Sequence, residues 1–460
     1  ALAITTPARA VVIDSRQEWF RNAKAGLFLH WGMRTSPAYL GKDASAWEAR
    51  VTADGWNANY WVDEAIKLHA SYLVLASFHS RLGYVRTWPS QIPGSPRTQR
   101  DFLGELIAAA KARGLKVILY MTDDPQWHNE TGVESLDSAA YSAYKGRSID
   151  LTTRDGFGEF SYDNFFEVMQ NYPDLAGFWI DNDNAYWETH NLYGQIRQIR
   201  PTWLLSNNNE NTPIMDTVSH EQKTGMTPDY DYAAATWVPL PQKQEADFKL
   251  AGGWWYNGTN PVVDRRLSIG RYMSTAGSSI NALIAEGAQH GGRFPSELES
   301  FNNFIDGYLD QIWESIGGTE GGGYMYGGLQ PGSAPNGAFL YTTISKADPN
   351  IHYIHVITRP SGSTLSLRDS GYKVTAVTNL RTGASMNFSQ GNGSLTITGI
   401  SSWDSYDTVF RVVTAGKLFV YPQSSMIATA SASASGHPAP SLVDGNYSTY
   451  WDSNTTVPVS

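Results

Sequence analysis

Cysteine is absent from the 460 residues, which removes disulfides, thiolate metal sites and cysteine nucleophiles at once. Charge is sparse. Asp, Glu, Lys and Arg make up 17% of the chain, and Asp plus Glu outnumber Lys plus Arg by 44 to 34. The resulting formal charge of −10 has the wrong sign for a protein that tracks phosphates, so no nucleic-acid partner is expected. No apolar run approaches the ~20 residues of a membrane span, so no membrane partner is expected either. Several chemical signatures are missing too. His220-Glu221 has no second His to complete a zinc-binding helix, the glycines after Gly317 lack the Lys-Ser/Thr of a phosphate loop, and no Gly-x-Ser-x-Gly elbow occurs. A calcium loop beginning in Asp181-Asn182-Asp183-Asn184 fails, because Ala185 and Tyr186 stand where a ligand and then glycine are needed. No metal and no organic cofactor is expected.

Aromatic residues, in contrast, are plentiful: 13% of the chain, with 16 Trp and 25 Tyr. That balance excludes disorder and suits proteins that stack flat rings on sugars. At roughly 150 residues per domain the length predicts two or three domains. Six Asn-x-Ser/Thr sequons, at Asn129, Asn257, Asn387, Asn392, Asn446 and Asn454, point to a secreted chain. The small-residue start, Ala1 to Thr6, has no basic or apolar leader region and fits what signal cleavage leaves behind.

Through about the first three hundred residues, short apolar runs alternate with helix-period segments, the βαβα pattern of a parallel sheet. Strands are predicted at Gly26 to Gly32, Tyr72 to Phe78, Lys116 to Thr122, Gly177 to Asn182, Trp203 to Asn208, Ala233 to Val238, Gly253 to Asn257 and Ser278 to Glu286. Eight such runs imply a (β/α)8 TIM-like barrel over 1–316. Thr98 and Asp101 predict a capped helix that ends before Gly114, and Glu188 to Arg200 predicts another, stopped by Pro201, with Leu192, Tyr193, Ile196 and Ile199 inward. Glycine is so dense over 317–328 that a linker without regular structure is expected. Short alternating strands then predict an antiparallel β-sandwich over 329–421, followed by 422–460, a linker and a fragment too short for its own core.

In a parallel barrel the chemistry sits just past the strand ends. Those ends are crowded here: His30-Trp31, His79, Tyr120 and Asp123 with Trp127 and His128 beyond, Trp179 to Asn184, and Trp254-Trp255-Tyr256. Imidazoles, indoles and a carboxylate converging on one mouth suit a neutral polyhydroxylated ring, whose hydroxyls need fixed donors and acceptors and whose C–H faces need aromatic platforms. Asp181 follows Gly177-Phe178-Trp179-Ile180 and so is held on rigid backbone, where a nucleophile must be aimed. A retaining glycosidase needs a second carboxyl ~5–5.5 Å away. Glu245 is a candidate, placed by its polar surroundings in a loop before the seventh strand, and Glu210, Glu221 and Glu286 are its rivals.

Two of these segments resemble a known family. Gly26-Leu27-Phe28-Leu29-His30-Trp31-Gly32 is similar to the opening strand of the α-L-fucosidases, glycoside hydrolase family 29, and Gly177-Phe178-Trp179-Ile180-Asp181 resembles that family's Trp-x-Asp strand. The likeness runs from about residue 17 to about residue 415. It implies Asp181 as nucleophile and Glu245 as acid/base. By that resemblance His30, Trp47 and His79 would line the sugar subsite and Trp179 would face the fucose methyl, while position past the strand ends adds Trp31, Tyr120, Trp127 and Trp255 to the candidate sugar-binding residues. The implied substrate is a fucosylated oligosaccharide or polysaccharide. The chain departs from the family where Phe78 precedes His79 and where Ala46 precedes Trp47, positions that usually carry His and Glu. Losing two hydroxyl readers shifts sugar selection to other side chains. Two alternatives remain, an exo-glycosidase for another sugar and a catalytically silent glycan-binding barrel. The final fragment, with Leu442-Val443-Asp444-Gly445-Asn446 and Tyr450-Trp451, resembles the truncated start of a discoidin-like carbohydrate-binding module.

Overall fold

A computed structural model describes residues 18–123, 132–208, 215–222, 243–321, 332–333, 339–369, 371–417, 427–444 and 449–452. Eight parallel strands close a barrel in chain order: β1 (Ala25–His30), β2 (Tyr72–Ala76), β3 (Lys116–Thr122), β4 (Gly177–Asp181), β5 (Leu204–Asn208), β6 (Thr217–Ser219), β7 (Gln244–Lys249) and β8 (Ile280–Gly287). β8 pairs with β1 from Ala25↔Ala282 to His30↔Gly287, which completes the closure.

The strands sort their side chains by parity. Leu27, Leu29, Trp31, Leu73, Leu75, Phe178 and Ile180 point outward and join the core shared with the helices. Phe28, Tyr72, Val74, Ile118, Tyr120, Trp179 and Leu283 fill the inside. Because side chains alternate along a strand, His30 falls on the inner face and its neighbour Trp31 on the outer one. Gly26 is required by this packing: a Cβ there would stand 2.5 Å from the Tyr72 ring.

Two strands are not where the sequence pattern put them. The sixth is Thr217–Ser219, whereas Ala233 to Val238 lies outside the described residues. The seventh is Gln244–Lys249, and Gly253 to Asn257 is a half-exposed loop after it. Glu245 therefore stands on a strand, not in a loop. Its run looked like a loop because Glu245 and Asp247 face the barrel interior and Ala246 and Phe248 are the strand's two apolar residues.

The helix after β2, Phe102–Ala112, is capped by Asp101 alone, whose carboxylate accepts from the Gly104 N–H at 2.8 Å. Thr98 instead donates its hydroxyl to the Arg100 carbonyl. The helix expected over Glu188 to Arg200 is two pieces, Ala185–Thr189 and Leu192–Ile199. They are separated at Asn191, whose φ of 51° is left-handed, and Ile199 ends up 45% exposed.

Beyond the barrel, two antiparallel sheets enclose a second core of Leu340, Ile354, Val356, Leu365, Leu367, Leu395, Ile397 and Phe410. A short strand, Thr319–Gly321, lies inside the segment expected to be an irregular linker and pairs with Phe339–Ser345; 322–328 falls outside the described residues. Tyr341, Tyr353, Ile357 and Val409 join the barrel core, so the sheets are packed against the barrel. Of the C-terminal fragment, the described residues form one short turn, Ala439–Leu442. No helix among the described residues is long and apolar enough to cross a membrane.

Candidate active site

The mouth of the barrel gathers polar groups that the parity of the strands aims inward. Asp181 ends β4 and is partly exposed. One carboxylate oxygen accepts from the Tyr120 hydroxyl at 2.6 Å and the other from Asn208 Nδ2 at 3.1 Å. The same nitrogen donates to Glu221 Oε2 at 3.3 Å. The near oxygens of Asp181 and Glu221 thus hang on one amide and can be no further apart than 6.4 Å, the sum of the two bonds. Burial, and then the Asp181 charge, hold the Tyr120 phenol well above its ordinary pKa, so it stays a donor.

His30 is buried, with its ring 4.3 Å from Phe28 and 5.5 Å from Trp254. Burial first and neighbouring His79 second lower its pKa to about 3, which keeps the imidazole neutral. His79 caps a one-turn helix: its Nδ1 accepts from the Arg81 N–H at 3.0 Å, which places the ring proton on Nε2. Its ring lies 5.8 Å from Tyr120 and 5.5 Å from Trp255. Lys249, at the end of β7, stands over Trp254 at 5.7 Å.

Below the mouth, Trp179 stacks on Tyr120 at 5.6 Å and 20° and donates its indole N–H to Glu245 Oε1 at 2.9 Å. The second Glu245 oxygen accepts from the Tyr72 hydroxyl. Burial pushes this carboxyl up, and the hydrogen bonds from Tyr72, Ser219 and Trp179 pull it back. Glu245 is 0% exposed, one layer beneath the rim. Asp247, two residues on, accepts from Ser219 Oγ at 2.7 Å; burial and the nearby Glu221 charge hold it well above the usual carboxylate range.

Of the residues singled out in the sequence, Asp181, His30, His79, Tyr120, Trp179 and Trp255 come together here. Two do not. Trp31 is fully buried outside the barrel, donating to the His290 carbonyl at 2.9 Å. Trp47 packs on it at 4.8 Å and is 1% exposed. Both belong to an aromatic cluster with Trp56, Trp61 and Phe102 that seals the helices onto β1, and no face of either is open to a sugar. Trp127, His128 and Glu210 lie outside the described residues. Glu286 points outward to Asn302, away from the mouth. Phe78 also turns outward, stacked on Phe157 at 5.6 Å, so it puts no apolar wall where the family's His would stand. Sequence reasoning passed over Asn208, although it ends a correctly placed strand and the strand-end rule would have found it. It left Glu221 among the rivals because β6 is three residues long.

The family model for alpha-L-fucosidases matches residues 47–311. The chain is 29% identical over 247 residues to the tissue alpha-L-fucosidase of Rattus norvegicus, covering 46% of this chain and 48% of that protein. It is 23% identical over 251 residues to that of Macaca fascicularis, with the same shares. It thus spans about half the length of the curated relatives it matches. Among solved structures, Thermotoga maritima alpha-fucosidase superposes with a TM-score of 0.64 at 18% identity, covering 86% of this chain and 96% of that one. A Bacteroides thetaiotaomicron GH29 alpha-L-fucosidase, trapped as a covalent intermediate, gives 0.65 at 19%, covering 88% and 97%. At that identity the likeness shows the fold: a closed parallel barrel followed by antiparallel sheets.

Proposed function

Because the chain belongs to the alpha-L-fucosidase family, we propose that it is an exo-acting retaining α-L-fucosidase that frees terminal L-fucose from a glycan through an ester on Asp181. One observation carries the reading: Asp181 and Glu221 share the Asn208 amide, which holds their near oxygens within 6.4 Å. Retaining enzymes need carboxyls ~5–5.5 Å apart, whereas inverting ones leave ~6.5–9.5 Å for a water. An Asp181 oxygen attacks the anomeric carbon as Glu221 passes its proton to the departing glycosidic oxygen. Glu221, now ionised, then takes a proton from water, whose oxygen displaces Asp181 and restores both groups.

The surroundings fit these roles. Tyr120 and Asn208 each donate to one oxygen of the Asp181 carboxylate and fix its orientation in the mouth. Neutral His30, and His79 through its Nε2–H, can read hydroxyls, and Trp254 and Trp255 supply flat faces. The layer of Trp179, Glu245 and Tyr72 closes the mouth from below, which suits a terminal sugar. Glu245 has both oxygens engaged beneath that floor, so proton transfer is assigned to Glu221 in its place. Sequons Asn257, Asn387 and Asn392 are exposed, as acceptors of a secreted glycoprotein must be.

On an aryl α-L-fucoside, Asp181→Asn is expected to lower kcat by roughly 10³-fold or more, and NMR of the wild type should show the α anomer released first. Azide should rescue Glu221→Ala, giving a fucosyl azide of retained configuration, and leave Glu245→Gln unrescued. Near-wild-type turnover by Asp181→Asn rejects the mechanism, and rescue of the Glu245 variant alone returns the acid role to Glu245. Sugar binding by calorimetry with no product from any fucoside favours the silent glycan-binding barrel.

A further inference from the structure

On the opposite, N-terminal face of the barrel, the helix Ala58–Lys67 ends in a Schellman motif. Ala70 N–H bonds the Ala65 carbonyl at 3.0 Å and His69 N–H bonds the Ile66 carbonyl at 2.9 Å. The left-handed position of this motif usually belongs to glycine, but here it holds His69, with φ 52°. The imidazole lies against Trp313 at 4.2 Å and points at the end of the helix Ser296–Asp310. Its Nε2 is covered and has no hydrogen-bond partner, although Asp310 Oδ1 is 3.4 Å away and Asp306 Oδ1 3.9 Å.

Both carboxylates are open to solvent, Asp306 at 46% and Asp310 at 69%. They stand four residues apart on one face of a helix, where like charges repel. They also sit at its negative end, and no basic residue occupies the last turn. Among the described residues, His69 is the one ion-pair partner of either. One ligand atom from each of the three lies within 4.8 Å of the others.

We propose that His69, Asp306 and Asp310 form a binding site for a divalent d-block cation of the zinc class, which ties the start of β2 to the helix Ser296–Asp310. An oxygen close to a ring nitrogen that makes no hydrogen bond with it suits two ligands of one ion. A tetrahedral centre with bonds of ~2.0–2.1 Å sets adjacent donors about 3.3 Å apart, each off the axis of the other. One nitrogen and two carboxylate oxygens are a donor set that zinc accepts, with water completing the shell. The face is the one that serves stability in such barrels, so the ion acts on the fold and takes no part at the mouth.

The test uses the full chain, washed with chelator and titrated with zinc chloride by calorimetry and thermal melting. One ion per chain is expected to bind, with a rise in Tm that saturates. His69→Gly and, independently, Asp310→Asn should weaken binding about tenfold or more and abolish the rise. Without zinc, His69→Gly should melt no lower than wild type, since glycine relieves the left-handed backbone. Absence of saturable zinc binding by the wild type overturns the proposal, as does equal binding by wild type and both variants. A His69→Gly chain that melts lower than wild type in chelator also overturns it, by showing His69 to be an ion-pair partner only.

Discussion

Acid should unfold this protein partly through a single imidazole. His30 is 5% exposed at the inner face of β1, and its pKa drops from 6.5 to about 3 because burial disfavours the cation and His79 faces it. The unfolded chain binds that proton near pH 6.5, whereas the fold refuses it until about pH 3. The stability that neutral His30 permits is therefore complete above pH 6.5 and is lost as pH falls through this window, at about 1.4 kcal/mol per unit. Between about pH 7.5 and about pH 4 the loss comes to about 3 kcal/mol. Buried Glu245, Asp247 and Glu286 work in the opposite direction. Their pKa values are raised by burial, so the fold binds protons before the unfolded chain does and gains stability on acidification. The bare pH dependence of the wild type mixes these contributions; a difference between proteins isolates His30. His30→Gln carries no proton at either pH. Equilibrium urea unfolding of both proteins at both pH values should show the variant losing about 3 kcal/mol less than wild type on acidification. A difference below about 1 kcal/mol would refute the reasoning, as would an NMR titration of the His30 ring with a midpoint near 6.5.

Tyr120→Phe removes the 2.6 Å hydrogen bond to Asp181 Oδ2. A bond to a charged group is worth about 1.5–3 kcal/mol, so kcat/KM on an aryl fucoside should fall about tenfold or more. Unchanged kinetics would remove Tyr120 from the machinery. Asn302→Leu takes one amide from two buried carboxylates, Glu64 at 2.9 Å and Glu286 at 3.1 Å. It should cost about 2–3 kcal/mol near neutral pH by urea unfolding. The cost should shrink as the pH is lowered, because burial raises the Glu286 carboxyl well above the usual carboxylate range and so favours its protonated form, which needs the amide less; a loss that does not change on acidification would contradict that account.

The parts of the barrel that the sequence made legible are those whose strands are apolar on both faces. Leu73, Val74 and Leu75 are buried between helices and barrel interior alike, and so are Val117, Ile118 and Leu119. A continuous apolar run bounded by turn residues is then the visible sign of a strand. β7 breaks that rule for a functional reason. Its inward positions are Glu245, Asp247 and Lys249, so Gln244–Lys249 reads as a polar loop, while the aromatic run Gly253 to Asn257 mimics a strand and is instead a rim that offers Trp254 and Trp255 to the mouth.

The same cause explains which residues of the candidate site stood out in the sequence. Asp181 was legible because four apolar or aromatic residues lead up to it, and Glu221 was not, because only Thr217, Val218 and Ser219 precede it. Trp31 was misplaced because composition cannot assign an indole to the outer or inner face; strand parity does that, and it is fixed one residue earlier by His30 pointing in, while Trp47 lies on the helix Ser45–Ala53, whose buried face packs against Trp31. A barrel that must hold several ionisable groups at its centre writes its strands in polar residues there, so the stretches that look least like strands are where its chemistry should be sought. By that argument β7 matters beyond its rank as an edge of the site. Asp247 follows the floor carboxyl Glu245 by two residues on the same inner face, and burial first and the nearby Glu221 second hold it well above the usual carboxylate range.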